Sequence, residues 1–348
     1  MNYLPGKISI SIAMFILIII NGIDCAAQMA PRFSQYQMNE FVLNPSVAGE
    51  DGRTTYNFTA RREWLLFSEN IYNPETYAFS IQSRILRKSV NVSKGKSGNK
   101  LHKTNKGRVG LGSAILSDKY GAMNRTTIQL AYAYHIFLNN MQLSMGLSGN
   151  ITQLKILGDN LVFANNDDEI MHHLADNPLW LPDFGLGASL LTNDYKVGLA
   201  VSNLFNSPYA LGNSTINYNS LHLGQTRHFY LMASMHKGPS TSDWSYEPSF
   251  LFKMNNLFHF ENGYASPASQ LDISLKTYYK RMYWFGLSYR TMADFIAMAG
   301  FKRKLMYFSY AFDYGNNELI KGTYGSHEIS IGFKFGDSAR RYRWMQRY

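Results

Sequence analysis

Met141-Gln-Leu-Ser-Met-Gly-Leu-Ser-Gly-Asn-Ile151 alternates by twos. Met141, Leu143, Met145, Leu147 and Ile151 fall on one face, and Gln142, Ser144, Gly146, Ser148, Asn150 and Thr152 on the other. A period of two is the signature of a strand with unlike faces. The second face is too small and polar for a packed core, and it suits a wet lumen. The same alternation returns at the end of the chain. Ile329, Ile331, Phe333 and Phe335 oppose Glu328, Ser330, Gly332 and Lys334. It recurs where Leu271, Ile273 and Leu275 oppose Asp272, Ser274 and Lys276, and where Phe285, Leu287 and Tyr289 oppose Gly286, Ser288 and Arg290.

A β-sandwich alternates too, so strand length decides between the two folds. Several runs reach roughly 10 to 15 residues, against about 5 or 6 for soluble strands. Tilted membrane strands need roughly 9 to 11. The reading is an all-β chain, a transmembrane antiparallel β-barrel of about fourteen strands, an even number as in bacterial barrels. The strands are placed at 53–62, 74–86, 107–118, 123–137, 140–155, 183–192, 194–203, 226–237, 244–255, 268–280, 282–291, 293–302, 304–314 and 326–336. No later segment holds about 20 consecutive apolar residues, so no transmembrane helix is expected. Of the 348 residues, 15% are aromatic and only 17% charged, which fits an outer surface facing lipid, although an aromatic-rich soluble β-protein would share that composition.

The amino terminus points to export. Lys7 precedes an uncharged run, Ile8 to Ile20, which is too short to span a bilayer and is followed by small residues. Residues 1–27 read as a signal peptide cleaved after Ala27. Asp24 before Cys25 argues against lipidation, and cleavage after Ala27 leaves no cysteine for a disulfide or a thiolate site. Residues 28–52 form an N-terminal periplasmic or plug segment, 53–336 the barrel, and 337–348 a basic periplasmic tail. Phe33, Tyr36, Phe41 and Leu43 need cover, which a plug in the lumen or a strap along the periplasmic rim would each supply.

Connections and charge sort by side. Leu138-Asn139, Thr192-Asn193, Lys280-Arg281 and Lys302-Arg303 sit at short turns, which bacterial barrels place in the periplasm. The longer connections, 156–182, 204–225, 256–267 and 315–325, fall on the other side. The net charge of +10 gathers at the short-turn rim. There the stretch from Lys88 to Lys106 carries Lys94, Lys96, Lys100, Lys103 and Lys106, and the tail carries Arg340, Arg341 and Arg343. Such a face can steer an acidic partner, or it merely keeps turns solvated against anionic head groups. Nucleic acid is not expected as a partner.

Short motifs then line up in order. They are Pro31-Arg32-Phe33-Ser34-Gln35-Tyr36, Leu43-Asn44-Pro45-Ser46-Val47-Ala48-Gly49, Arg61-Arg62-Glu63-Trp64 and Asn73-Pro74-Glu75-Thr76-Tyr77. Further on come Pro182-Asp183-Phe184-Gly185-Leu186-Gly187, Ser288-Tyr289-Arg290-Thr291 and Gly325-Ser326-His327-Glu328-Ile329-Ser330. The series resembles the PorP/SprF family of type IX secretion and gliding-motility proteins of Bacteroidetes, in order from Phe33 to Phe335. The resemblance implies an outer-membrane barrel that works with periplasmic ring or lipoprotein subunits of that machinery, or with a secreted adhesin. It leaves open which branch applies. The basic stretch near Lys94 and the tail beyond Phe335 depart from the family pattern. The other function kept in view is a channel for small or hydrophobic solutes, since fourteen strands surround a usable lumen.

Candidate sites are few. Arg61, Arg290, Asp313 and Glu328 share lumen parity, and the last three lie near the extracellular ends. Opposite charges in a narrow lumen should pair, because a lone buried charge is costly. They are expected either to form a rim cluster that holds extracellular loops or closes the pore, or to be solvated separately. Trp64 reads as an interface anchor. Trp284 and Tyr278 on lumen parity point to a filled interior. His172 and His173 sit among Asp167, Asp168, Glu169 and Asp176, but no spacing matches a cation cage, so a solvated acidic loop is expected and no metal. No nucleophile elbow, zinc helix or phosphate loop is present, so neither an enzyme nor a cofactor is expected.

Overall fold

The computed structural model describes residues 32–65, 73–85, 88–89, 104–105, 108–121, 123–138, 141–156, 178–205, 225–238, 242–255, 269–291, 294–315 and 323–336. The expected signal peptide, the acidic loop with its histidines and the basic tail lie outside these residues. The strands are β1 (Thr54–Arg62), β2 (Glu75–Ile85), β3 (Lys88–Ser89), β4 (Thr104–Asn105), β5 (Val109–Tyr120), β6 (Met123–Leu138), β7 (Met141–Ile156) and β8 (Leu179–Thr192). They continue with β9 (Tyr195–Ser202), β10 (His228–Met235), β11 (Trp244–Asn255), β12 (Ser269–Tyr279), β13 (Tyr283–Arg290), β14 (Asp294–Arg303), β15 (Met306–Gly315) and β16 (Ser326–Phe335).

Fourteen of these close into an antiparallel barrel in which each strand pairs with its chain neighbours and β1 pairs with β16. The short β3–β4 ribbon stands apart, and β2 pairs directly with β5. The wall follows the alternation read from the sequence. In β7, Met145, Leu147 and Ile151 are exposed to the lipid side while Gln142, Ser144, Ser148 and Asn150 are buried inside. Aromatic side chains mark both edges of the outer surface, with Trp244 against Tyr279 at the short-turn rim and Tyr289 against Phe295 at the other. Such girdles are expected where the wall meets the membrane interfaces.

The turns show why the registers hold. Thr192 Oγ1 accepts from the amides of Asp194 and Tyr195 at 3.3 and 3.1 Å, which fixes the β8–β9 turn. In the three-residue turn from β12 to β13, the Met282 amide donates to the Tyr279 carbonyl at 3.1 Å, and Lys280 and Arg281 take the left-handed φ values of 51° and 55° that a primed turn requires. One boundary differs from expectation by more than two residues, since β8 begins at Leu179 rather than at residue 183. Pro182 reads as a strand breaker, but the β8–β9 ladder runs only over Leu186–Leu191. Above that level a missing N–H disturbs no ladder bond on that edge, so the proline is tolerated.

The lumen is not the water-filled space that the small polar faces suggest. Residues 32–53 run inside it as turns, a one-turn helix (Glu40–Leu43) and a 3-10 turn (Pro45–Val47). Phe33, Tyr36 and Leu43 bury against Ala78, Ala200, Tyr230, Met232 and Leu251, and Phe41 and Val47 against Ala114, Ala131 and Ala133. Small residues on the inner face let the segment approach the wall backbone. A Cβ on Gly146 would fall on Pro45 and Ser46, and one on Gly110 would fall on the Ala48 carbonyl. The face that looked too small for a core is a socket for a segment that brings its own side chains.

Gly146→Leu is therefore expected to close a barrel but to expel residues 44–48 from their seat. Purified barrel of this variant should keep its heat-modifiable gel mobility while trypsin cuts at Arg53 far faster than in wild type. Equal protection in the two proteins would refute the socket.

Candidate functional site

The described charges gather where the N-terminal segment meets the wall, at two levels. The first is built across the closing seam. The β1–β16 register sets Arg61 opposite Glu328, and the β12–β13 register sets Asp272 opposite Arg290. Arg61 Nη1 lies 2.8 Å from Asp313 Oδ2 and 3.6 Å from Glu328 Oε2, and its Nε donates to Glu63 Oε1 at 3.0 Å. Arg290 donates through Nε and Nη2 to the Asp272 carboxylate, with Nη2 at 2.9 Å, and its Nη1 is 3.8 Å from Asp313. Paired guanidinium donors and a carboxylate give a strong, directional contact.

The chain held by this network is the segment itself. The amides of Ser34 and Gln35 donate to Glu328 at 2.6 and 3.0 Å, and Ser34 Oγ donates to Asp313 at 2.8 Å. Arg61 donates to Ser34 Oγ, and Arg290 Nη2 donates to the Phe33 carbonyl at 2.9 Å. The side chains of Arg61, Asp313 and Glu328 are 3, 5 and 0% exposed, so removing one partner would leave the others charged and dry.

Halfway down, the segment is held by neutral polar groups. Asn57 Nδ2 and Thr59 Oγ1 donate to Asn39 Oδ1 at 2.8 and 3.0 Å. His135 Nε2 lies 2.9 Å from the Ala48 carbonyl, which can only accept, so the proton is assigned to Nε2. Its Nδ1 then accepts from Ser144 Oγ at 2.8 Å. Asn44 accepts from the Ser46 amide and hydroxyl at 3.0 and 2.7 Å, and so caps the 3-10 turn that Pro45 starts.

The second charged level lies toward the short-turn rim. Lys196 Nζ sits 2.7 Å from Glu40 and 2.5 Å from Glu50, and Lys334 Nζ is 3.1 Å from Asp51. One ammonium cannot fully neutralise two carboxylates. Burial pushes the Glu50 carboxyl above its ordinary range, with Lys196 opposing the shift and Glu40 adding to it. Burial also works against the Asp51 charge, yet Lys334 and the Arg53 amide hold that carboxyl below the usual carboxylate range.

The structure thus brings together Arg61, Arg290, Asp313 and Glu328. Their bonds run to the N-terminal segment, whereas the sequence reading offered extracellular loops or pore closure. Asp272, the main partner of Arg290, was overlooked. It was legible, because Tyr279 pairs with Tyr283 across the short turn and counting back along both strands meets Asp272 at Arg290. Glu63, Glu40, Glu50 and Lys196 carried no comparable signal. Trp64 sits half-buried with φ of 53°, just past the end of β1. Lys94, Lys96, Lys100, Lys103, Lys106, Arg340, Arg341 and Arg343, proposed as a partner face, lie outside the described residues. So do His172 and His173, and among the described residues no group of acids and histidines is placed to hold a metal ion.

Comparison with known proteins gives one decisive match. The family model described as type IX secretion system membrane protein PorP/SprF matches residues 25–333. No curated protein matches the chain significantly. Among solved structures, outer membrane protein Omp33 of Acinetobacter baumannii is 10% identical, with a TM-score of 0.42 over 82% of this chain and 100% of that one. The P. putida toluene transporter TodX is 10% identical, with a TM-score of 0.38 over 86% and 94% of the two chains. BamA of Haemophilus ducreyi is 9% identical, with a TM-score of 0.38 over 82% and 70%. Likenesses this loose carry no argument about function.

Arg61→Met is expected to loosen the segment by ~3–5 kcal/mol, the usual cost of stripping one partner from a buried ion pair. The readout is hydrogen exchange at the Ser34 and Gln35 amides, which should rise by orders of magnitude. Adding Glu328→Gln should recover part of that protection. Unchanged exchange in the single variant would show that the network does not hold the segment.

Proposed function

The chain belongs to the PorP/SprF family of type IX secretion system membrane proteins, and from that premise we propose that it serves in the outer membrane as a non-enzymatic docking barrel. In this reading it binds periplasmic ring or lipoprotein subunits of the secretion machinery, or a secreted surface protein, and keeps them at the membrane. The observation that carries the reading is the seated segment. Residues 32–53 are tied to the wall by Glu328 and Asp313 at one level and by Lys196 and Lys334 at another. A lumen crossed by a clamped segment is poorly suited to free solute passage, which leaves the two rims as the surfaces that do the work.

The charge pattern of the sequence favours the short-turn rim for the machinery contact. Lys94, Lys96, Lys100, Lys103 and Lys106 occur within one connection, and Arg340, Arg341 and Arg343 within the tail. Clustered positive charge steers an acidic partner and weakens with salt.

The test is an affinity capture of the tagged barrel from native outer membranes in mild detergent, followed by mass spectrometry. Type IX ring proteins, lipoproteins or a secreted adhesin should be recovered. Replacing the five lysines by glutamine, or removing residues 337–348, should lower recovery of a periplasmic partner at least several-fold. A barrel that comes out alone and conducts small solutes after reconstitution would overturn the docking reading in favour of a channel.

A further inference from the structure

The seated segment has a direction. Its leading end lies among the outer ends of the strands. The Phe33 carbonyl accepts from Arg290, the last residue of β13, and the Ser34 and Gln35 amides donate to Glu328, the third residue of β16. The next hold is at Asn39, level with Asn57 and Thr59 in the middle of β1. Beyond it, Glu40 and Glu50 meet Lys196, the second residue of β9, and Asp51 meets Lys334, the next to last residue of β16. β9 starts and β16 ends at the short-turn rim. From residue 32 to residue 53 the chain therefore descends the lumen from the long-connection end to the short-turn end. There it enters β1 at Thr54, opposite Phe335.

An even number of strands starts and finishes on one side of a membrane, so a chain that entered β1 directly would leave both of its ends at the short-turn rim. The segment reverses this for the leading end. Phe33, Ser34, Gln35 and Tyr36 are buried, whereas Arg32 is only half-buried, so the chain nears the mouth as it passes Phe33. The cavity beside Phe33, bounded by Leu43, Leu116, Gln129 and Tyr230, measures about 80 Å³. It has room for about two or three waters at roughly 30 Å³ each, and none for a second pass of chain. Bacterial barrels place short turns in the periplasm and long connections outside. We infer that the chain end preceding Phe33 leaves the barrel through its outer mouth and is presented at the cell surface, although β1 starts and β16 ends on the periplasmic side.

Such an end is a handle. A pull on it from outside acts first on the Ser34 and Gln35 amides, and through Glu328 on the pairing of β1 with β16. Of the partner classes in the docking reading, a secreted surface protein can reach this end and a periplasmic subunit cannot. That step rests on the docking reading, whereas the side on which the end emerges does not.

The experiment is labelling of intact cells with a maleimide carried on a polymer too bulky to cross the outer membrane. The sequence has one cysteine, Cys25, inside the expected signal peptide, so the wild-type chain is the blank. Ala30→Cys should be modified on intact cells to the same extent as Tyr324→Cys, an exposed position beside a long connection. Asp243→Cys, exposed between β10 and β11 at the short-turn rim, should react only after the outer membrane is permeabilised. Heat-modifiable mobility confirms that each variant folds, and Met29→Cys supplies a second position if Ala30→Cys does not assemble. Modification of the leading end only after permeabilisation, or in neither state, overturns the inference. Reaction of Asp243→Cys on intact cells also overturns it, because the barrel would then be inverted. The labelling needs no partner, so its failure is distinct from an empty affinity capture.

Discussion

The contact on which the interior depends is the one between Arg61 and the carboxylates of Asp313 and Glu328. It joins the first strand to the last two, and it does so inside the lumen, where no bulk water screens it. The same carboxylates accept the backbone amides of Ser34 and Gln35. Wall closure and segment seating therefore share one set of atoms. In an ordinary barrel the inner face serves the lumen and the outer face serves the lipid. Here the inner face has a second task, which is to present acceptors and small residues to a stretch of chain that is not part of the sheet.

That division explains the inner composition. Where the segment comes close, the wall offers Gly110, Gly146, Ala131 and Ala133, and where the segment carries charge, the wall offers Lys196 and Lys334. On the β13–β14 side the wall supplies more bulk of its own through Trp284, Ile296 and Met298, against which the segment lays Met38. The interior is thus uneven, with the segment's backbone closest to the wall at Gly110 on β5 and Gly146 on β7 and a cavity left at the short-turn end.

The wall was legible in the sequence because a barrel strand is written in a local code. Each residue's side is set by parity, and Met141 to Ile151 spells it without help from distant residues. The lumen cluster was partly legible for the same reason, since parity put Arg61, Arg290, Asp313 and Glu328 inside. Parity does not give distance around the barrel, and this is why Arg290 was matched to Asp313 and Glu328 before Asp272. The segment was the least legible part. Its irregular turns have no period, and what fixes Glu40, Glu50 and Asp51 in place are lysines on β9 and β16, far away in sequence. Likewise the small polar inner face has the same spelling whether it meets water or another piece of chain.

The seam also constrains the order in which the molecule is made. Ser34 and Glu328 are 294 residues apart, and Glu328 lies on the strand that completes the ring. Until that strand arrives, the Ser34 and Gln35 amides lack their acceptor and Arg61 lacks one of its three carboxylates, so the leading stretch must wait within an unfinished sheet. Once the ring is complete, that stretch is enclosed by hydrogen-bonded wall on every side. Assembly is then a capture event, with the first residues to emerge held by the last strand to be laid down. A chain interrupted before β16 would lack the closing strand and also the Glu328 and Lys334 contacts that help keep its own beginning inside.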